Sequence, residues 1–219
     1  MIDGFVTSIF GQRGAGKTTL MNHIINPASR AILFDYLHTR KTTADRMNFI
    51  HTRSLQDVRR LVIDNYHSGF RIWYQPPPDA RAQQEALSKL SYILWDIQDQ
   101  QWTSVGDVAF ITFGIDEMSL PFPVTNLSDG LRGFNQVLTG GRHLGFNIVG
   151  ASQRPAQVHT EFRSAAEVKY FLQLSEPRDL DVVAQTIGKP YREVPTVLQK
   201  LEYLRYSMGK IEKGNTTFL

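Results

Sequence analysis

The chain has 219 residues, 42% hydrophobic and 21% charged, which is enough for one substantial core and too little for two comfortable ones. This excludes a disordered or fibrous chain, and the absence of cysteine excludes a disulfide framework and any thiolate metal site, as fits a reducing compartment. A net charge of +3 is compatible with a nucleic-acid partner without requiring one.

No apolar run approaches the roughly 18 residues of a spanning helix. The start, Met1-Ile2-Asp3-Gly4, carries an early acid rather than a charged-then-apolar leader. A soluble chain is expected, or one held at a membrane only through partners.

In chain order, Phe5-Val6-Thr7-Ser8-Ile9-Phe10 is a β-branched and aromatic run that Gly11 ends. A helical stretch over 17–26 follows. Ala31-Ile32-Leu33-Phe34 is a second strand, ended by Asp35, and Asp57-Val58-Arg59-Arg60 reads as a helix face. A third strand, Phe70-Arg71-Ile72-Trp73-Tyr74, is closed by Pro76-Pro77-Pro78, with Trp73 and Tyr74 expected in the core. Over 80–99, Ala82, Ala86, Leu90, Ile93, Leu94 and Ile97 share one helical face. The fourth apolar run spans 108–115 and ends in Asp116-Glu117.

A fifth strand over 146–151 and a sixth over 168–172 follow, then a helix over 179–187 carrying Leu180, Val183, Ala184 and Ile187. The tail from Glu202 to Phe218 reads as a strand, a turn at Met208-Gly209 and a second strand. Strands apolar on both faces, alternating with helices, predict an α/β fold with a mainly parallel sheet flanked by helices. We expect one domain over 1–219, with 190–219 as a small strand-and-turn appendage.

Gly11-Gln12-Arg13-Gly14-Ala15-Gly16-Lys17-Thr18 satisfies every fixed position of the phosphate-binding loop G-x-x-x-x-G-K-[ST], with a strand before it and a helix after. The chemistry needs each residue type. Gly11, Gly14 and Gly16, with the small Ala15, let main-chain amides approach phosphates and form an anion nest. The helix opening at Lys17 adds its positive end. Lys17 supplies a mobile cation for the β- and γ-phosphates, Thr18 a hydroxyl for Mg²⁺, and Thr19 stands next to it in the cradle. The implied ligands are ATP and Mg²⁺, although no base-reading motif distinguishes ATP from GTP.

Such a loop needs an acid on a neighbouring strand. Asp116 is expected to hold Mg²⁺ through its water shell, and Glu117 to act as general base toward the attacking water. The pair alone would also suit an acidic turn after a buried strand. At the end of the fifth strand, Gln153 suits a γ-phosphate sensor or a surface turn. Arg142, in Gly140-Gly141-Arg142-His143-Leu144-Gly145, suits a helix-end cap or a cation that reaches a neighbouring subunit's site. The six histidines have no metal-ligand spacing.

Together these motifs, and the run Gly141-Arg142-His143-Leu144-Gly145-Phe146-Asn147-Ile148-Val149-Gly150-Ala151-Ser152-Gln153-Arg154-Pro155, resemble the FtsK–HerA superfamily of DNA-pumping ATPases. The stretch from Val158 to Glu176-Pro177-Arg178-Asp179 is similar to that superfamily's next strand and helix. The resemblance covers about residues 5–188, with firm matches at the three motifs. It implies a RecA-like P-loop NTPase sheet, a hexameric ring with DNA in its channel, Gln153 as γ-phosphate sensor, and Arg142 as an arginine finger offered in trans. Asp35 matches an acid common at that strand end.

A bare motor of this size is most similar to the genome-packaging ATPases of tailless viruses with an internal membrane. That likeness implies double-stranded DNA as cargo, a capsid or membrane-vertex protein as docking partner, and a place in the host cytoplasm or at the virion vertex. Arg40, Lys41, Arg132 and Arg163 are candidate phosphate contacts, although any single one of them reads first as a solvated surface charge.

The Arg142-His143-x-Gly pattern is also similar to zonula-occludens-toxin-like assembly ATPases of filamentous phages. Those usually carry a membrane span, which is not evident here. A filamentous-phage extrusion or conjugation-type ATPase, a nucleotide-dependent switch that moves nothing, and a small-metabolite kinase are the competing readings.

Overall fold

The computed structural model describes residues 4–36, 48–125 and 131–216. Among the described residues nine strands form one sheet: β1 (Val6–Phe10), β2 (Arg30–Phe34), β3 (Ile50–Thr52), β4 (Phe70–Tyr74), β5 (Ile111–Ile115), β6 (Phe146–Ser152), β7 (Val168–Phe171), β8 (Glu202–Ser207) and β9 (Lys210–Asn215). Their spatial order is β3-β4-β2-β5-β6-β1-β7-β8-β9. The first seven run parallel, and the β8–β9 hairpin joins antiparallel against β7.

The α-helices among the described residues are α1 (Lys17–Ile25), α2 (Leu55–Asp64), α3 (Ala80–Val105), α4 (Gly133–Gly140), α5 (Thr160–Ala165) and α6 (Pro177–Ile187). Local chemistry sets several of their ends. Asp79 accepts from the Ala82 amide at 2.9 Å to start α3, Ser54 accepts from Asp57 to start α2, and Gly106 at φ 73° turns the chain out of α3.

The continuous apolar strands serve two cores. Ile9, Leu33, Trp73, Val149 and Ala151 point to the face that α1 covers with Leu20, Met21 and Ile25. Phe10, Ile32, Phe34, Ile72, Phe113, Ile115 and Ile148 point to the other face, under Val58, Leu90, Leu94, Phe134, Phe162 and Val183 from the remaining helices. Adjacent residues thus bury on opposite sides, the signature of a sheet covered twice. Among the described residues no helix is long and apolar enough to cross a membrane.

The run expected as a strand over 108–115 pairs only from Ile111. The backbone of Ala109 is engaged by side chains instead: its amide donates to Tyr66 Oη at 3.1 Å, and its carbonyl accepts from Gln98 Nε2 at 2.8 Å. The helix expected over 80–99 continues to Val105, and its buried Gln98 also donates to the Leu144 carbonyl at 2.6 Å. The tail hairpin has its turn at Met208-Gly209 and extends the main sheet rather than hanging off it. Phe218, where the second tail strand was expected to end, lies outside the described residues.

Candidate active site

In a parallel sheet, loops that bind ligands gather beyond the carboxyl ends of the strands. Here that edge carries a cleft of about 430 Å³ lined by Arg13, Gly14, Lys17, Thr18, Tyr36, Asp116, Glu117 and Gln153. These residues arrive from the ends of β1, β2, β5 and β6.

The sequence placed the acidic strand next to the phosphate loop. The structure places β6 between β1 and β5, so the acids face the loop across one intervening strand. That insertion brings Gln153, at the end of β6, into the lining of the cleft between the loop's strand and the acids' strand.

The loop itself is shaped by backbone geometry. Gly14 and Gly16 sit at φ 82° and 109°, in the left-handed region that costs glycine least. Gly16 is the cap of α1, and no side chain caps that helix end, as suits a helix terminus that receives an anion. Lys17 Nζ folds back to donate to the Gln12 carbonyl at 3.1 Å. The neighbours hold the loop's outer side: Gln12 N donates to Gln173 O at 2.7 Å, Gly11 N to Ser152 O at 3.2 Å, and Leu201 N to Ala15 O at 2.9 Å. Gly11 and Ala15 are buried beneath the loop, and Thr19 lies in the first turn of α1.

Asp116 is buried at the end of β5. Glu117 has φ 57°, unusual for a residue with a side chain, and this turns its carboxylate back toward β6. There Oε1 accepts from Ser119 Oγ and Ser152 Oγ, each at 2.7 Å, and the Gln153 amide donates to Oε2 at 3.2 Å. Oxygen donors from Thr18 and Asp116 on one cleft are the hard ligands Mg²⁺ prefers, in the small number it takes when substrate phosphates supply the rest.

Sequence reasoning missed Tyr36 and Arg13 as cleft residues, although both sit inside or next to features it used: Arg13 within the glycine loop, Tyr36 one step past Asp35. Burial raises the Tyr36 phenol above its ordinary value, with Glu117, Asp116 and Asp35 adding to the shift, so it stays a neutral donor. The Gln153 turn has a further support, also missed. Fully buried Asp179 accepts from Arg154 Nε at 2.9 Å and from the Ala156 amide at 3.0 Å. The sequence signal was the acid in the first turn of α6.

Arg142 is not brought to this cleft. It lies in the short 3₁₀ turn Gly141–Leu144 before β6, where it pairs with Glu167 at 3.4 Å. Since β6 has seven residues, the strand alone separates Arg142 from Gln153 by about 20 Å, beyond the reach of an arginine side chain. Any action of Arg142 on such a cleft is therefore on another copy's.

Of the candidate phosphate contacts, Arg40 and Lys41 lie outside the described residues. Arg132 sits exposed before α4. Arg163 is half-buried, donates to the Val158 carbonyl at 3.2 Å, and has its pKa lowered by that burial, which suits holding α5 better than gripping a polyanion. Trp73 and Tyr74 are core residues as expected.

A mainly parallel sheet with a glycine loop opening α1 and acids two strands away defines the P-loop ATPase fold. No family model matches the sequence, and no curated protein matches it. Solved structures do. The genome packaging NTPase B204 of Sulfolobus turreted icosahedral virus 2, in complex with ATPγS, superposes with a TM-score of 0.73 at 16% identity, covering 100% of both chains. VirB4 of Thermoanaerobacter pseudethanolicus gives 0.63 at 9% identity, over 98% of this chain and 90% of that one. EssC (ATPases 2 and 3) of Geobacillus thermodenitrificans gives 0.59 at 16% identity, over 98% of this chain and 39% of that one. At the level of fold, these likenesses agree with the FtsK–HerA resemblance drawn from the sequence.

Proposed function

We propose that this chain is a Mg²⁺-dependent ATPase that works as a DNA-translocating motor and packages double-stranded viral DNA into a capsid. The observation that carries the reading is the cleft itself: a phosphate-loop cradle, a lysine, two acids and a glutamine converge on one space sized for a triphosphate. The fold shared with a genome packaging NTPase over the whole length of both chains adds support.

Amides of the Gly11–Thr18 loop and Lys17 hold the phosphates, with Thr19 extending the cradle, and Gln153 reads the γ-phosphate. Thr18, and Asp116 through the ion's water shell, would hold Mg²⁺, which would neutralise phosphate charge. Glu117 takes a proton from water as the water oxygen bonds to the γ-phosphorus and the bond to the β-phosphate oxygen breaks, leaving ADP and phosphate.

Residues 1–219 act as one ATPase unit. Copies assemble as a ring, a hexamer by the family resemblance, in which Arg142 completes a neighbour's site. The ring docks on a capsid or membrane-vertex protein, in the host cytoplasm or at the virion vertex, and grips DNA through phosphates without sequence preference.

The test is ATP turnover with and without short duplex DNA, read alongside mass in solution, for the native chain and for Glu117→Gln. We expect duplex-stimulated turnover in the assembled form, slow turnover in dilute monomer, and an E117Q variant that binds ATP without hydrolysing it. Unchanged turnover in E117Q rejects the base assignment. Stimulation by single strands alone points to the extrusion or conjugation class, and binding without turnover in the native chain points to a switch.

A further inference from the structure

The two oxygens of Glu117 have different surroundings, and the residue responsible is one that the reading above leaves without a role. Ser152 is fully buried at the last position of β6. Its hydroxyl donates to Glu117 Oε1 at 2.7 Å and accepts from the Arg154 amide at 3.1 Å, so its single proton is committed to the carboxylate. Ser119 Oγ donates to the same Oε1 at 2.7 Å. Two hydroxyl donors make the short bonds to Oε1. The Gln153 amide is shared between the two oxygens, 3.4 Å from Oε1 and 3.2 Å from Oε2, and among the described residues it is the one donor on Oε2, which keeps a lone pair open.

We infer that Ser152, assisted by Ser119, is a positioning residue that anchors Glu117 through Oε1 and so presents Oε2 as the oxygen that takes the proton from water. This rests on Glu117 being the general base. The left-handed backbone of Glu117 gives the inference its physical need: at φ 57° the turn is held by what it contacts, and the anchored oxygen is the side-chain part of that hold. It also joins base and sensor, because Ser152, Gln153 and Arg154 form one turn. A shift of that turn moves the Gln153 side chain and the Glu117 carboxylate together.

A positioning role separates turnover from binding. The experiment measures kcat and KM for ATP, binding of a fluorescent non-hydrolysable analogue, and thermal melting for Ser152→Ala, Ser152→Thr, Ser119→Ala and Glu117→Gln. We expect S152A to lower kcat at least tenfold with KM and analogue affinity within about twofold of native. S152T keeps the hydroxyl and should keep most of the turnover, and S119A should fall in between.

A native kcat in S152A overturns the inference, as does an equal loss in S152A and S152T, since the hydroxyl is then not the cause. If S152A fails to melt cooperatively, S119A decides, because its hydroxyl reaches the same oxygen from a less buried position: native kcat there is the overturning result. E117Q keeps the two levels apart. An active E117Q sinks the base reading, whereas an inactive E117Q beside unaffected serine variants sinks only the anchoring.

Discussion

Replacing Asp179 with alanine tests whether the Gln153 turn is held from α6. Asp179 is fully buried and ties two groups of the turn, the Arg154 guanidinium at 2.9 Å and the Ala156 amide at 3.0 Å. The Arg154 side chain is 38% exposed and also lies 3.7 Å from Glu176, so solvent and a second acid screen the loss of that pair to about 1 kcal/mol. The Ala156 amide is left without its acceptor, which costs about 1–3 kcal/mol. Loss of an acid from the first turn of α6 adds about 0.3–1 kcal/mol.

Together the change is about 3 kcal/mol. With a urea m-value of about 2–3 kcal/mol/M, the midpoint should fall by roughly 1 M at constant m. Asp179→Asn, which keeps one acceptor, should lie between native and D179A. Nucleotide affinity should change less than turnover, because Gln173 and Leu201 hold the phosphate loop as well as Ser152, whose carbonyl lies in β6 ahead of the perturbed turn. A D179A loss under about 1 kcal/mol with native turnover would falsify the account of this turn.

Two further outcomes follow from the geometry. Gly16→Ala places a Cβ at φ 109° and within 2.6 Å of Leu201 Cδ2. It should abolish fluorescent-nucleotide binding and lower stability by about 1–3 kcal/mol, and truncating Leu201 as well should not restore binding, because the backbone strain remains. The second outcome concerns alkaline pH. Burial raises Tyr36, Tyr66, Tyr74 and Tyr203 above the ordinary 10.0, while burial lowers Lys169 from 10.5. A tyrosine raised on folding contributes stability that is complete below pH 10 and is lost as pH climbs through its folded value, since the unfolded chain ionises first. Lys169 acts oppositely, as do the burial-lowered Arg71 and Arg163, whose ordinary value of 12.5 lies further up the scale. Urea midpoints should be flat from pH 7 to 9 and fall above about 10, and Tyr74→Phe should shallow the fall. Midpoints that rise above pH 10 would contradict the burial of these phenols.

Much of the fold was legible because its signals are local. Strand ends at Gly11, Asp35 and Asp116, the helical spacing from Ala82 to Ile97, and the turn at Met208-Gly209 each depend on a few adjacent residues. What was missed depends on partners far along the chain. Ala109 looks like strand in sequence, and only Tyr66 and Gln98 take its backbone away from the ladder. β3 escaped notice because three residues with partly exposed side chains carry almost no periodicity.

The sequence by itself determined the phosphate loop, because an anion nest is made by contiguous amides and glycines whose geometry needs no distant help. It also determined that acids and a glutamine end buried strands. Only the tertiary structure decided that β6 lies between β1 and β5, that Arg142 stands a strand's length from its own chain's cleft, and that one Glu117 oxygen is filled by Ser119 and Ser152. These are relations between residues brought together by strand order, and strand order follows from how two apolar faces are shared among helices, a choice no short run of residues encodes.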